Sequence, residues 1–493
     1  MRLIATVKKK SVTKNYIYNL VYQILVIVLP LITTPYISGV LGAEKIGIYS
    51  FTTSIATYFI LFGSLGVAMY AQREIAYVQN DEHKRSKLFW EIFFFRCITM
   101  AISIIVFYFT YASHGEYQLY YKILIIQLFA NVLDISWFFQ GLEEFKKTVT
   151  RNLLVKIVSV IAIFIFVKRQ DDLWIYFVIF VLSTLLGNIS LWLYLPKYVQ
   201  KIKGEKLQIF SHLKPTIGLF IPQIAIDVYT LLDRTMLGYL TSDMSQVGNY
   251  EQSQKIIKLS YTLITSLGTV MTPRIASMLS DNNNEKVKEY LSKSINFVLF
   301  LGVPLTLGVM AVAKTLVPWF LGDEFSLSIY ILMAGSLLII AKGFTDVAGV
   351  QYLIPSRNQG EFTKSVIAGA IINVVLNFIL IPIFGAIGAI ISSVVAEVTI
   401  AVIQYYYLKK KINIHMFNKS YLKYIISGLL MFVVVYIMGV FMEPTFITTI
   451  IQICIGGIIY IGMLLILKDQ FLYERLEKIL QIFKLKKGIK NEK

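Results

Sequence analysis

Residues 234–256 read RTMLGYLTSDMSQVGNYEQSQKI, and residues 38–55 read SGVLGAEKIGIYSFTTSI. The two stretches echo each other. Each opens with Leu-Gly at the close of an apolar run, Leu41-Gly42 in one and Leu237-Gly238 in the other. Each then has a short polar connection, a β-branched residue followed by Gly (Ile46-Gly47, Val247-Gly248), and a Tyr two residues on (Tyr49, Tyr250). The preceding runs carry matched prolines, Pro30 and Pro35 against Pro215 and Pro222. A parallel repeat is the expectation, with Gly42 and Gly238 ending equivalent helices and the prolines marking helix breaks or hinges.

The rest of the chain fits that frame. Of its 493 residues 56% are hydrophobic, and the mean hydropathy is +0.67. Apolar spans long enough to cross a bilayer as helices fall at 16–38, 46–70, 88–112, 118–140, 152–168, 173–195 and 215–240, then 247–273, 294–318, 327–350, 362–382, 386–408, 420–442 and 446–467. The fold class is therefore all-α: a polytopic membrane protein of about 14 transmembrane helices. Six spans separate the two echoing stretches, so both copies have the same orientation. The expected architecture is two six-helix lobes related by a pseudo-two-fold along the membrane normal, plus two C-terminal helices.

The net charge of +18 could suggest nucleic acid, but its placement points to a membrane. Alternate connections, beginning with the N-terminal tail, hold 35 Lys and Arg; the intervening connections hold 3, with Lys168 and Lys364 at span ends counted in their adjoining connections. That asymmetry is a positive-inside signal, and it puts both termini in the cytoplasm of a plasma membrane. The expected organisation is a basic tail (1–14), an N-lobe (15–196), a linker (197–214), a C-lobe (215–408), a cytoplasmic loop (409–419), two further helices (420–468) and a basic tail (469–493). In that tail Leu472, Leu476, Ile479 and Phe483 have the spacing of an interfacial amphipathic helix. The basic start of the chain leads into an apolar run too long for a cleaved signal peptide, so this run reads as a retained first helix.

Span seven poses the functional question. It contains Asp227, Asp233 and Arg234, and each charge at the centre of a lipid-facing helix costs ~2.5–3.5 kcal/mol. These side chains must face other helices or water. Asp227 and Arg234 are two turns apart on one face; Glu251, Lys255 and Lys258 form a stripe on span eight, with Glu251 and Lys255 in the favoured order for an ion pair. Arg96 and Lys342 add cations at depth, and Asp134, Asp346 and Glu397 are candidate coupling acids. Lys314 reads as snorkelling from a span end. Two readings stand: the charges lock helices together, or they line a partly cationic cavity suited to an anion such as phosphate.

Several stretches carry a resemblance: residues 14–51, SLGVAMYAQREIA (64–76), LDRTMLG (232–238), VGNYEQSQKI (247–256) and residues 349–397. They resemble polysaccharide repeat-unit flippases of the Wzx type, within the multidrug/oligosaccharidyl-lipid/polysaccharide exporter superfamily. The resemblance implies a V of two lobes. It also implies alternating-access transfer of a polyprenyl-pyrophosphate-linked oligosaccharide from the inner to the outer leaflet, for capsule, teichoic acid or exopolysaccharide synthesis. It gives Asp233 and Arg234 a place in the cavity, and it implies structural roles for NVVLN (373–377) and GAIGA (385–389). One departure is Gly39, near where relatives often have a basic residue.

The implied partners are the lipid-linked oligosaccharide, membrane lipids and a coupling proton or sodium ion, acting on a monomer with no cofactor, metal or nucleic acid. The runner-up is a multidrug/cation antiporter of the same superfamily, which would want more acids in the N-lobe than Glu91 and Asp134. A membrane glycosyltransferase or polymerase would want a sizeable outer loop with acids or His, and none is present. There is no GxxxxGK[ST] for ATP. The two cysteines, Cys97 and Cys454, sit in apolar spans and imply neither a disulfide nor a metal site.

Overall fold

The computed structural model describes residues 12–475 and 477, apart from 203, 282 and 414–420; the side chains of 12–28, 145, 219 and 221–229 lie outside the description. The chain divides into two compact units, Met1–Leu231 and Leu232–Lys493. The division falls within a helix, whereas the charge pattern and linker composition had suggested residue 215 as the start of the second lobe.

The first unit is built from α1 (Val12–Ser64), α2 (Val67–Tyr77), α3 (Glu82–Phe107), α4 (Gln118–Val132), α5 (Ser136–Gly141), α6 (Phe145–Phe166), α7 (Leu173–Trp192) and the start of α8 (Leu213–Thr241). Pro30 and Pro35 lie inside α1, which continues through them; its break is Gly42, at φ 73° and ψ 176°. That conformation favours glycine strongly, so Gly42 separates the first two spans as expected. The second span stops at Leu65 and Gly66, both at positive φ. Buried aromatic residues fill the end of this unit, with Phe89 against Trp137 at 5.5 Å and against Phe138 at 5.1 Å.

The linker is strapped to α3. Arg85 donates to the Tyr198 carbonyl at 2.7 Å and Trp90 to that of Gln200 at 3.1 Å. Glu205 pairs with Lys87 at 3.0 Å. Further along, Glu91 accepts from the Gln208 amide at 2.8 Å, and its other oxygen stands 3.3 Å from His212, whose Nδ1 is 2.8 Å from the Tyr70 hydroxyl.

The second unit comprises the end of α8, α9 (Met244–Ser280), α10 (Asn284–Phe320), α11 (Ser326–Gly335), α12 (Leu337–Thr345), α13 (Gln359–Phe384), α14 (Ala386–Ile412), α15 (Tyr421–Phe441) and α16 (Phe446–Ile466). Gly385, at φ 56° and ψ −131°, turns α13 into α14. A Cβ on Gly388 would stand 2.3 Å from the Leu380 carbonyl, so the small residues of GAIGA let the two helices close on each other. The C-terminal pair is pinned through the buried Gln452, which accepts from Thr315 of α10 at 2.5 Å and donates to the Val435 carbonyl of α15 at 2.9 Å.

Helices fall on each of the fourteen expected ranges. Among the described residues, ten are long and apolar enough to cross a membrane, or eleven with one bent pair; α8 and α9 are outside that set. The bent pair is the tenth span, which turns 44° between Gly335 and Leu337 and ends in a π-helical run, Asp346–Leu353. Gly238 does not end its helix. α8 continues to Thr241, and the chain turns at Ser242, at φ 54°. The amphipathic tail helix expected beyond Leu472 lies largely outside the described residues.

Candidate functional site

Two residues, Ser242 and Asp243, join α8 to α9. Asp243 caps α9 by accepting from the Ser245 amide at 2.9 Å. So short a connection makes the helices antiparallel neighbours. Arg234 lies seven residues before the end of α8 and Glu251 seven after the start of α9, which brings them to one depth. Their side chains meet: Arg234 Nε is 2.8 Å from Glu251, and Lys255 Nζ is 3.6 Å from the same carboxylate, in the i,i+4 pairing expected of it. Arg234 keeps 27% of its side chain exposed and Lys255 36%, against 13% for Glu251.

A second pair lies between α12 and α14. Lys342 Nζ is 2.5 Å from Glu397, which also accepts from the Thr345 hydroxyl at 2.8 Å. At Glu251 two cations meet one carboxylate, leaving an excess of positive charge. The guanidinium offers forked donors, so the arrangement can accept a phosphate-type anion by exchanging a carboxylate partner for it. Lys258 is exposed one turn above Tyr261, and Lys314 is exposed as a snorkelling residue would be.

Asp233 goes elsewhere. It is 4% exposed and accepts from Asn377 at 2.7 Å and Asn373 at 3.1 Å, as well as from the hydroxyls of Tyr250 and Ser393. The expected cavity role of Asp233 beside Arg234 therefore does not match its position: a helical step of about 100° turns it into the packed interior. Oxygen atoms dominate this set, and Asn amides can present oxygen as well as nitrogen. Among the described residues no three His, Cys, Asp or Glu side chains gather as a metal site.

The other expected residues separate. Arg96, 3% exposed, donates to the Asp134 carbonyl at 2.8 Å and to Asn131 at 2.7 Å, so it fastens α3 to the break after α4 instead of lining a cationic cavity. The Asp134 carboxylate accepts from the Ser136 amide at 3.0 Å and starts α5. Asp346 begins the π-helical run and accepts from Gln351 at 2.8 Å; Gly268 of α9 makes room for its carboxylate. The side chains of Asp227 and Pro222 lie outside the description.

With this geometry in place, relatives can be compared. The family described as "Polysaccharide biosynthesis protein" matches residues 12–279, more than half of the chain. The chain belongs to that family. A second family, described as MatE, matches residues 219–383. Among polysaccharide biosynthesis proteins and their kin, the chain is 27% identical over 394 residues to a "Putative O-antigen transporter" of Escherichia coli (strain K12), covering 79% of this chain and 94% of that one. In fold it resembles lipid II flippase MurJ in an inward closed conformation, at a TM-score of 0.76 and 16% identity, over 92% of this chain and 99% of that one. It also resembles an inward-facing multidrug resistance MATE transporter, at 0.61 and 13%, over 78% and 94%.

Sequence reasoning about this family member missed Asn373, Asn377 and Ser393 as partners of Asp233, and His212 as the partner of Glu91. The first group had a signal: two Asn four residues apart in an otherwise apolar helix share one face and need a buried partner.

Proposed function

We propose that this chain is a flippase, carrying a polyprenyl-pyrophosphate-linked oligosaccharide repeat unit from the inner to the outer leaflet by alternating access, for cell-surface polysaccharide synthesis. The observation that carries the reading is the Arg234–Glu251–Lys255 cluster: part-exposed cations in a polysaccharide biosynthesis family chain, paired with a carboxylate that an anion can replace. Arg234 is the pyrophosphate contact and Lys255 and Lys342 add attraction. The charge placement supports a bacterial plasma membrane with both termini cytoplasmic. The protein works as a monomer and transports without covalent chemistry.

Transport against a gradient calls for a coupling ion. The oxygen-rich cage around Asp233 is a candidate seat for sodium, with Asn373 and Asn377 rotated to present oxygen. Asp134, Asp346 and Glu397 remain candidates for a proton. A multidrug/cation antiporter is the second reading, favoured by the MatE match over residues 219–383. The positive excess around Arg234 weighs against a cationic drug.

A deletion strain tests the choice. The flippase reading expects lipid-linked oligosaccharide to accumulate on the inner leaflet and to clear when the gene is restored. No accumulation, with altered resistance to cationic drugs, would favour the antiporter.

A further inference from the structure

At the end of the second unit where α8 meets α9, three connections converge on a cavity of about 640 Å³. They are the α8–α9 turn, the stretch between α10 and α11, and the α13–α14 turn. The volume lies within the ~300–1,000 Å³ range of small-ligand sites. Its lining combines polar residues, among them Thr241, Asp243, Ser245, Glu324 and Ser326, with the apolar run Ile381–Phe384. Phe384 is 56% exposed. Among the described residues that line the cavity none is basic.

The cavity is fastened in shape. Gln246 accepts from the Ala386 amide at 2.9 Å, tying the start of α9 to the start of α14, and a side chain on Gly385 would collide with it. Asn249 accepts from the Ser328 amide at 3.0 Å and so ties α9 to α11. The rim is therefore built by packed helix ends, which hold a recognition surface better than free loops do.

We infer that this cavity binds the saccharide part of the transported molecule. Two carboxylates and several hydroxyls accept and donate hydrogen bonds to a polyol, and an aromatic and aliphatic wall suits the apolar face of a sugar ring. The acids and the lack of lining cations disfavour a pyrophosphate here. The inference rests on the flippase reading and extends it, because α8 links the two regions. Thr241 is seven residues beyond Arg234, on the same face and about 10 Å further along the axis. A pyrophosphate at Arg234 would leave the first sugars reaching toward Thr241. On the orientation proposed above, the cavity opens on the outer side, where the sugar is delivered.

The test uses the purified full-length protein in lipid nanodiscs. The probe is an oligosaccharide prepared by partial acid hydrolysis of the host cell's own surface polysaccharide, which carries neither lipid nor pyrophosphate. Saturation-transfer NMR should show contact to its ring protons. Ser326→Trp, which fills the cavity, should abolish it. Glu324→Gln, the milder change, should weaken binding roughly tenfold, the scale of one charge-assisted hydrogen bond. No transfer to the unaltered protein, or undiminished transfer in either cavity variant, overturns the inference. The probe comes from the cell surface, so this result is independent of whether lipid-linked oligosaccharide accumulates in the deletion strain. Accumulation without binding would sink the cavity alone, and binding without accumulation would sink the flippase reading.

Discussion

Arg234 holds its Nε 2.8 Å from the carboxylate of Glu251, across the two-residue turn that joins α8 to α9. The preceding residue, Asp233, faces a closed polar cage. One helical step thus separates a part-exposed charge that can meet a large anion from a buried one within reach of a small ion only, and the two should respond differently to substitution.

Asp233→Ala should lower stability. It removes the acceptor shared by Asn377, Asn373, Tyr250 and Ser393, and a buried donor left without a partner costs roughly 1–3 kcal/mol. The expected result is a lower melting temperature in detergent and reduced membrane abundance. Normal abundance with a normal melting temperature would show that the cage contributes little.

The Lys342–Glu397 pair should show the same logic with recovery. Glu397 is 1% exposed, so Lys342→Met leaves a buried carboxylate uncompensated, at a cost of roughly 3–5 kcal/mol. Abundance should fall in the single variant and return in Lys342→Met with Glu397→Gln. If the double variant stays as depleted as the single one, the two side chains do not depend on each other.

Topology is tested by thiol labelling in a background where Cys97 and Cys454 are replaced. Ser211 and Ser242 are both exposed. Ser242→Cys should react with an impermeant reagent on intact cells, and Ser211→Cys only after permeabilisation. Labelling of Ser211→Cys from outside would invert the orientation.

The helices were legible because a bilayer demands long apolar runs, and a helix falls on each of them. The interruptions were less legible. The turn at Ser242 comes four residues after Gly238, and the bend at Ser336 has no Pro beside it. Both depend on what the helix packs against. The Glu251–Lys255 pair could be read from spacing alone, since both residues sit on one helix. Arg234 with Glu251 needed only the short α8–α9 connection in addition. Asp233 with Asn377, and Arg96 with Asn131, join residues distant in sequence: the Asn373–Asn377 spacing marks a need for a buried partner, but nothing local says which residue supplies it. Burial therefore separated the charges that spacing had grouped together.

The most direct test of the central claim compares Arg234→Ala, Arg234→Lys, and Arg234→Ala with Glu251→Gln. Each is expressed in a deletion strain, and surface polysaccharide is measured against membrane abundance of the protein. As a substrate contact, Arg234 cannot be replaced by removing its partner. The prediction is loss of transport at normal abundance in both Arg234→Ala and the double variant, with partial activity in Arg234→Lys, which keeps the charge without the forked donors. Restored surface polysaccharide in the double variant would contradict the account, because it would make the Arg234–Glu251 pair a structural tie and nothing more.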